Sequence, residues 1–129
     1  VPPVSDALAA VGAERLDRVI DAFVRRMAAD DIIGFFFQGR DLDRVVTHER
    51  EHAARVLGGD VPYTGRPLVP LHKGLRINAG QFRRRLALLR LVAREHGVDE
   101  AILEAWLDAD RRLQAHITDG TDCAPGGAP

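Results

Sequence analysis

Leu71-His72-Lys73-Gly74-Leu75-Arg76-Ile77 sets one imidazole among apolar neighbours and flanks it with two cations. Residues 60–70, just before it, hold three prolines and one glycine and read as loop. A short helical turn over 69–73 follows and stops at Gly74. A loop that leads into one turn of helix presents a single side chain to a cavity. A four-helix bundle with short connections has no need of that device. Two readings of His72 stand side by side. It is a surface or half-buried histidine, or it is a neutral imidazole offered to a metal, with its other ring nitrogen held by a backbone carbonyl. In the second reading Leu71, Leu75 and Ile77 wall the site, and Lys73 and Arg76 meet negative groups at a ligand's edge.

Helical periodicity surrounds this stretch. Leu16, Val19, Ile20, Phe23, Val24 and Met27 recur on one face of a helix that begins at Ala13 and is interrupted at Asp30-Asp31. Ser5 is a candidate cap for a short helix before it. Residues 32–37 form a dense apolar knot, read as a compact turn or short helix that buries Phe35, Phe36 and Phe37. Asp41 or Asp43 caps the next helix, whose apolar positions are Leu42, Val45, Val46, Ala53 and Val56, and Gly58-Gly59 ends it. Asn78 caps a long helix over 79–95. Its face carries Phe82, Leu86, Leu89 and Ala93, widened by Leu88, Leu91 and Val92. Asp99 caps the last helix, with Ile102, Leu103, Trp106, Leu107, Leu113 and Ile117 as its stripe. The reading is all-α: one domain over 1–119 and a flexible tail over 120–129.

Composition narrows the function classes. Net charge is -1, so nothing draws the chain to nucleic acid or an anionic membrane. The single cysteine, Cys123, excludes an internal disulfide and a Cys-rich metal site. No apolar run approaches a membrane span, and the opening residues do not form a secretory signal. The expected setting is a reducing cytoplasm.

His48, Glu49 and His52 sit together on the third long segment. Glu49 lies four past Val45 and seven past Leu42, on the apolar stripe, where a carboxylate is rarely buried without purpose. The group is either a solvated polar patch or one wall of a cavity that faces His72. His48-Glu49-Arg50-Glu51-His52 also has the H-E-x-x-H spacing of zinc hydrolases, but no third ligand is placed beside it. Arg83-Arg84-Arg85 reads as a solvated face, with Arg85 a candidate for a cofactor's edge. Tyr63 is placed to hydrogen-bond or cover such an edge.

Several pieces share one order and spacing over residues 12–118. They are Phe23 with Arg25, Ala29-Asp30-Asp31, Phe36-Phe37 with Gly39, and Leu57-Gly58-Gly59. Pro62-Tyr63-Thr64-Gly65-Arg66 and Leu71-His72-Lys73-Gly74 follow, with Ile77 and Phe82 beyond. Together they resemble the group I truncated haemoglobins. The resemblance implies a two-over-two helical sandwich around haem b, with His72 as the proximal iron ligand. It places Phe37 against the haem and Leu42, Val45, Leu71, Leu75, Ile77 and Phe82 in the pocket. Lys73, Arg76, Arg66 and Tyr63 fall near the propionates. His48 matches a position where some relatives carry a second axial histidine, so His72 and His48 are the candidate iron ligands. Val24 stands where the family usually has an oxygen-stabilising tyrosine. Val45 and Glu49 stand where it often has Gln or Leu.

The implied function is haem binding with diatomic ligands (dioxygen, nitric oxide, carbon monoxide) at the iron, and redox chemistry there. The alternatives are a peroxidase-like or nitric-oxide-detoxifying enzyme supplied by a reductase, and a sensor or carrier without turnover. Glu49, His48 and His52 are the candidate catalytic groups if peroxide is the substrate.

Overall fold

The computed structural model describes residues 4–59 and 76–117, with side chains over 7–59 and 76–114. Its helices are α1 Val4–Val11, α2 Ala13–Ala28, α3 Leu42–Val56, α4 Ala79–Glu95 and α5 Glu100–Ile117. A 3₁₀ turn, Gly34–Phe37, stands between α2 and α3. The helices form a sandwich. α2 packs on α3 and α4, α4 packs on α5, and α3 also reaches α5. α1 touches α2 and α5, and the Leu8 N–H donates to the Leu57 carbonyl at 3.1 Å, which ties α1 to the end of α3. Among the described residues no helix is long and apolar enough to cross a membrane.

The sequence dictates most of these elements locally. The apolar stripe of α2 is buried at every position from Leu16 to Met27 that the periodicity names. Gly12 joins α1 to α2 at φ 87°, a region that favours glycine. Asp41 caps α3 by accepting from the Asp43 and Arg44 N–H groups, and Asp99 accepts from Ala101 and Ile102. Asn78 and Gln81 form a reciprocal capping box on α4. Trp106, Phe23, Leu89, Leu103 and Leu107 close the centre of the core. Burying each large aliphatic or Phe side chain contributes about 1.5–3 kcal/mol.

Asp30 fixes the corner between α2 and the 3₁₀ turn. Its side chain is 6% exposed. It accepts from the Ile32 and Ile33 N–H groups and from Arg84 of α4 at 2.6 and 3.0 Å. The Arg84 hydrogen bond holds its carboxyl below the usual aspartate range. A depressed folded-state pKa gives stability that is present above the unfolded value, about 3.9, and is lost as pH falls through the folded one. Asp30→Asn is therefore expected to cost about 1.5–3 kcal/mol at pH 7. The gap to wild type should narrow below about pH 4. Urea unfolding at several pH values checks this; a gap that is the same at every pH contradicts it. Gly34 completes the corner, because a Cβ there would lie 2.7 Å from the Ala28 carbonyl oxygen.

Three expectations need correction. The three phenylalanines are not all buried: Phe35 is 53% exposed and stacks on Phe36 at 4.1 Å between ring centroids. A 3₁₀ turn has three residues per turn, so three consecutive side chains point in three directions and cannot share a face. Leu91 is 46% exposed, because it falls beyond the edge of the face centred on Leu89. Ser5 lies inside α1, so it does not cap it. Arg84 keeps a side chain 40% exposed, in keeping with a solvated face, while it pairs with Asp30 across the corner.

Candidate functional site

α3 is the helix along which the core opens. Its C-terminal half buries Ala53 and Ala54, with Leu57 just beyond. Its N-terminal half carries Leu42, Val45 and Val46, which pack against the core and stay half-buried. Phe36 and Phe37 of the 3₁₀ turn and Ile77, ahead of α4, are in the same condition. Phe82 lies deeper, at 3% exposure. Four of the predicted cofactor-binding residues, Phe37, Leu42, Val45 and Ile77, thus belong to one class of half-covered apolar side chains.

A buried ionic network occupies the middle of the sandwich. Arg85 of α4 forms a two-point fork with Glu49 of α3, at 2.5 and 3.0 Å. Its Nη2 also reaches Asp110 of α5 at 3.5 Å, and Asp110 Oδ1 lies 3.3 Å from His52 Nε2 of α3. α2 supplies uncharged neighbours. The guanidinium stands 5.0 Å from the Phe23 ring centroid and 3.9 Å from Met27 Sδ. The side chains of Glu49, Arg85 and His52 are 18%, 19% and 15% exposed, and that of Asp110 is 1% exposed. Burial works against the charge on Arg85, but Glu49 and Asp110 outweigh it and hold the guanidinium pKa above its ordinary value.

The structure brings two of the three predicted catalytic groups, Glu49 and His52, into this network. Glu49 is turned to Arg85, neither outward to Arg44 nor to Arg50, which pairs with Asp17 of α2. His52 is turned to Asp110. His48 is half-buried, one turn before His52 on α3. Among the described residues no group of three or more His, Cys, Asp or Glu could hold a metal ion. Arg76 is exposed and adopts φ 55°, left-handed backbone unusual for a non-glycine residue. His72, Tyr63, Arg66, Leu71, Lys73 and Leu75 lie outside the described residues.

Sequence reasoning reached Glu49 but missed Arg85 and Asp110 as its partners. The same signal marks both. Arg85 is three past Phe82 and four before Leu89, and Asp110 is three past Leu107 and four past Trp106. Each is a charge placed on an apolar stripe. Three such charges on three helices predict one another.

A profile of the bacterial-like globin family matches residues 7–119. A group 1 truncated hemoglobin, GlbN, from Mycolicibacterium paratuberculosis is 37% identical over 71 residues. That match covers 55% of this chain and 52% of the relative, so it spans about half the length of that protein. The group 1 truncated hemoglobin of Tetrahymena pyriformis is 24% identical over 71% of this chain and 76% of its own length. The crystal structure of truncated hemoglobin from Tetrahymena pyriformis in its Fe(III) form superposes with a TM-score of 0.80 at 20% identity. The superposition covers 89% of this chain and 97% of that one, and it establishes a shared fold.

Proposed function

This chain belongs to the bacterial-like globin family, in its group I truncated haemoglobin branch, and on that premise we propose that it holds haem b through His72 and binds diatomic ligands at the iron. The observation that carries the proposal is the set of half-buried apolar side chains, Phe36, Phe37, Leu42, Val45, Val46 and Ile77, contributed by the 3₁₀ turn, the N-terminal half of α3 and the residue ahead of Asn78. Such a lining fits a flat, largely apolar porphyrin, which it would grip by van der Waals contact and shield from water. The donor set fits as well. A porphyrin brings four nitrogens of its own and asks the protein for only one or two imidazoles.

When bound, haem supplies an iron that takes a diatomic ligand and exchanges one electron. The residues of the chain set the terms. His72 would hold the iron, with Leu71, Leu75 and Ile77 as the apolar residues beside it in sequence. Lys73, Arg76, Arg66 and Tyr63 would be the groups to meet the propionates. Phe82 backs the pocket from the core. Val24, 0% exposed, and Val45 offer no hydrogen bond to a ligand on the distal side. With no donor there, bound dioxygen would be poorly held. His48 would be the second imidazole available to the iron. The fork with Arg85 favours the ionised form of Glu49, which accepts hydrogen bonds and donates none.

A second reading is that the site handles peroxide. Glu49, one residue from His48, would then be the proton-accepting carboxylate; its fork with Arg85 makes it a weaker base, and His52 is turned to Asp110. Turnover of that kind, or detoxification of nitric oxide, requires a one-electron reductase as partner. A sensor or carrier requires none.

Mixing the ferrous protein with carbon monoxide tests the proposal. A saturable, one-to-one spectral change is expected. If His48 holds the sixth position about nine-tenths of the time, His48→Ala tightens apparent binding about tenfold. No spectral change contradicts the function; an unchanged affinity in His48→Ala contradicts only the role of His48.

A further inference from the structure

The ionic network is unevenly matched. Arg85 spends its planar fork on Glu49, at 2.5 and 3.0 Å, while Asp110 receives only a 3.5 Å contact from the same guanidinium and a 3.3 Å contact from His52. Yet Asp110 is the most deeply buried of the four, with a side chain 1% exposed. The α2 residues that meet Arg85, Phe23 and Met27, carry no charge. Among these four groups the Glu49–Arg85 fork is the closest pair, so Asp110 is the less compensated carboxylate, inside the sandwich, where counter-ions and water screen it little.

From this imbalance we infer that Asp110 is a redox-tuning residue, whose buried negative charge holds the iron of the bound haem in the ferric state and lowers its one-electron reduction potential. The inference rests on the haem-binding reading above. α3 connects the two ends physically: it carries His48 and Val45 toward the half-covered wall and Glu49 and His52 into the network. Reduction of ferric iron takes one electron from an external one-electron donor and removes one unit of positive charge from the haem. No bond in the protein forms or breaks, and no proton needs to move. The anionic Asp110 stabilises the more positive, ferric side of that couple. It acts through space, as a positioning charge, and touches neither haem nor ligand.

The test is spectroelectrochemical titration of the haem-loaded protein with mediator dyes at one fixed pH. Asp110→Asn removes the charge and keeps the shape. At a given applied potential it is expected to shift the ferric-to-ferrous ratio at least tenfold toward ferrous, a rise of about 59 mV for one electron. Asp108→Asn is the control. It deletes the same formal charge from the same helix, but Asp108 is 58% exposed and paired with Arg111, so its potential should stay at the wild-type value. Glu49→Gln provides a second route to the same upward shift should Asp110→Asn fail to fold. A potential that moves no more for Asp110→Asn than for Asp108→Asn, or that moves downward, overturns the inference. Haem stoichiometry is recorded on each sample first. A wild-type chain that takes no haem overturns the haem reading and this inference together, whereas a loaded chain with an unmoved potential overturns this inference alone.

Discussion

His72→Ala is expected to abolish stable haem loading. The imidazole is the sole strong donor that the family resemblance assigns to the proximal side, in a stretch whose other members are apolar or cationic. Mutating a partner that merely orients a metal ligand costs about 10–100-fold in affinity. Loss of the ligand itself should exceed that, leaving haem held by the apolar wall alone. The purified variant should carry a small fraction of the haem found in wild type, measured as haem-to-protein ratio by absorbance. Free imidazole added to the variant should restore much of the wild-type spectrum, because it fills the position that the side chain vacated. Full loading with an unchanged spectrum would place the iron on another residue, with His48 the first to examine.

Arg85→Ala should produce a large loss of stability. It removes the guanidinium that Glu49 of α3 and Asp110 of α5 share. Breaking a buried ion pair in this way costs about 3–5 kcal/mol. A typical domain has only about 5–15 kcal/mol in all, so the variant approaches unfolding. Arg85→Lys keeps the charge but loses the planar fork, and should fall between the two. The combined Glu49→Leu, Arg85→Met, Asp110→Leu variant should recover most of the loss, because an apolar replacement needs no desolvation of charge. Urea unfolding of the haem-free chain measures all three. A loss below about 1 kcal/mol for Arg85→Ala would mean that the network behaves as a solvated pair.

The two predictions draw on different kinds of legibility. α2 and α4 were readable because their apolar spacing and the Asn78 cap are local facts, decided within a few residues. The all-α sandwich follows from such facts and from the family pattern. The network was only half readable. A charge on an apolar stripe shows that a partner must exist, as Glu49 did, but the partner lies 36 residues away on another helix. Nothing local in Arg83-Arg84-Arg85 says which arginine turns inward; the approach of α2, α3 and α5 decides it. The fate of Phe35 was hidden for a simpler reason. Its burial depended on whether residues 34–37 form an α or a 3₁₀ turn, and nothing local in Gly34-Phe35-Phe36-Phe37 decides that. His72 was singled out by its surroundings, and its role was supplied by the family resemblance.

Whether this chain is a haem protein is tested most directly by titrating it with hemin and following the absorbance of the bound form. A haem globin with His72 as ligand gives a sharp break at one hemin per chain, and the break disappears in His72→Ala. A gradual rise with no break, identical in wild type and His72→Ala, would show unspecific adsorption and contradict the assignment.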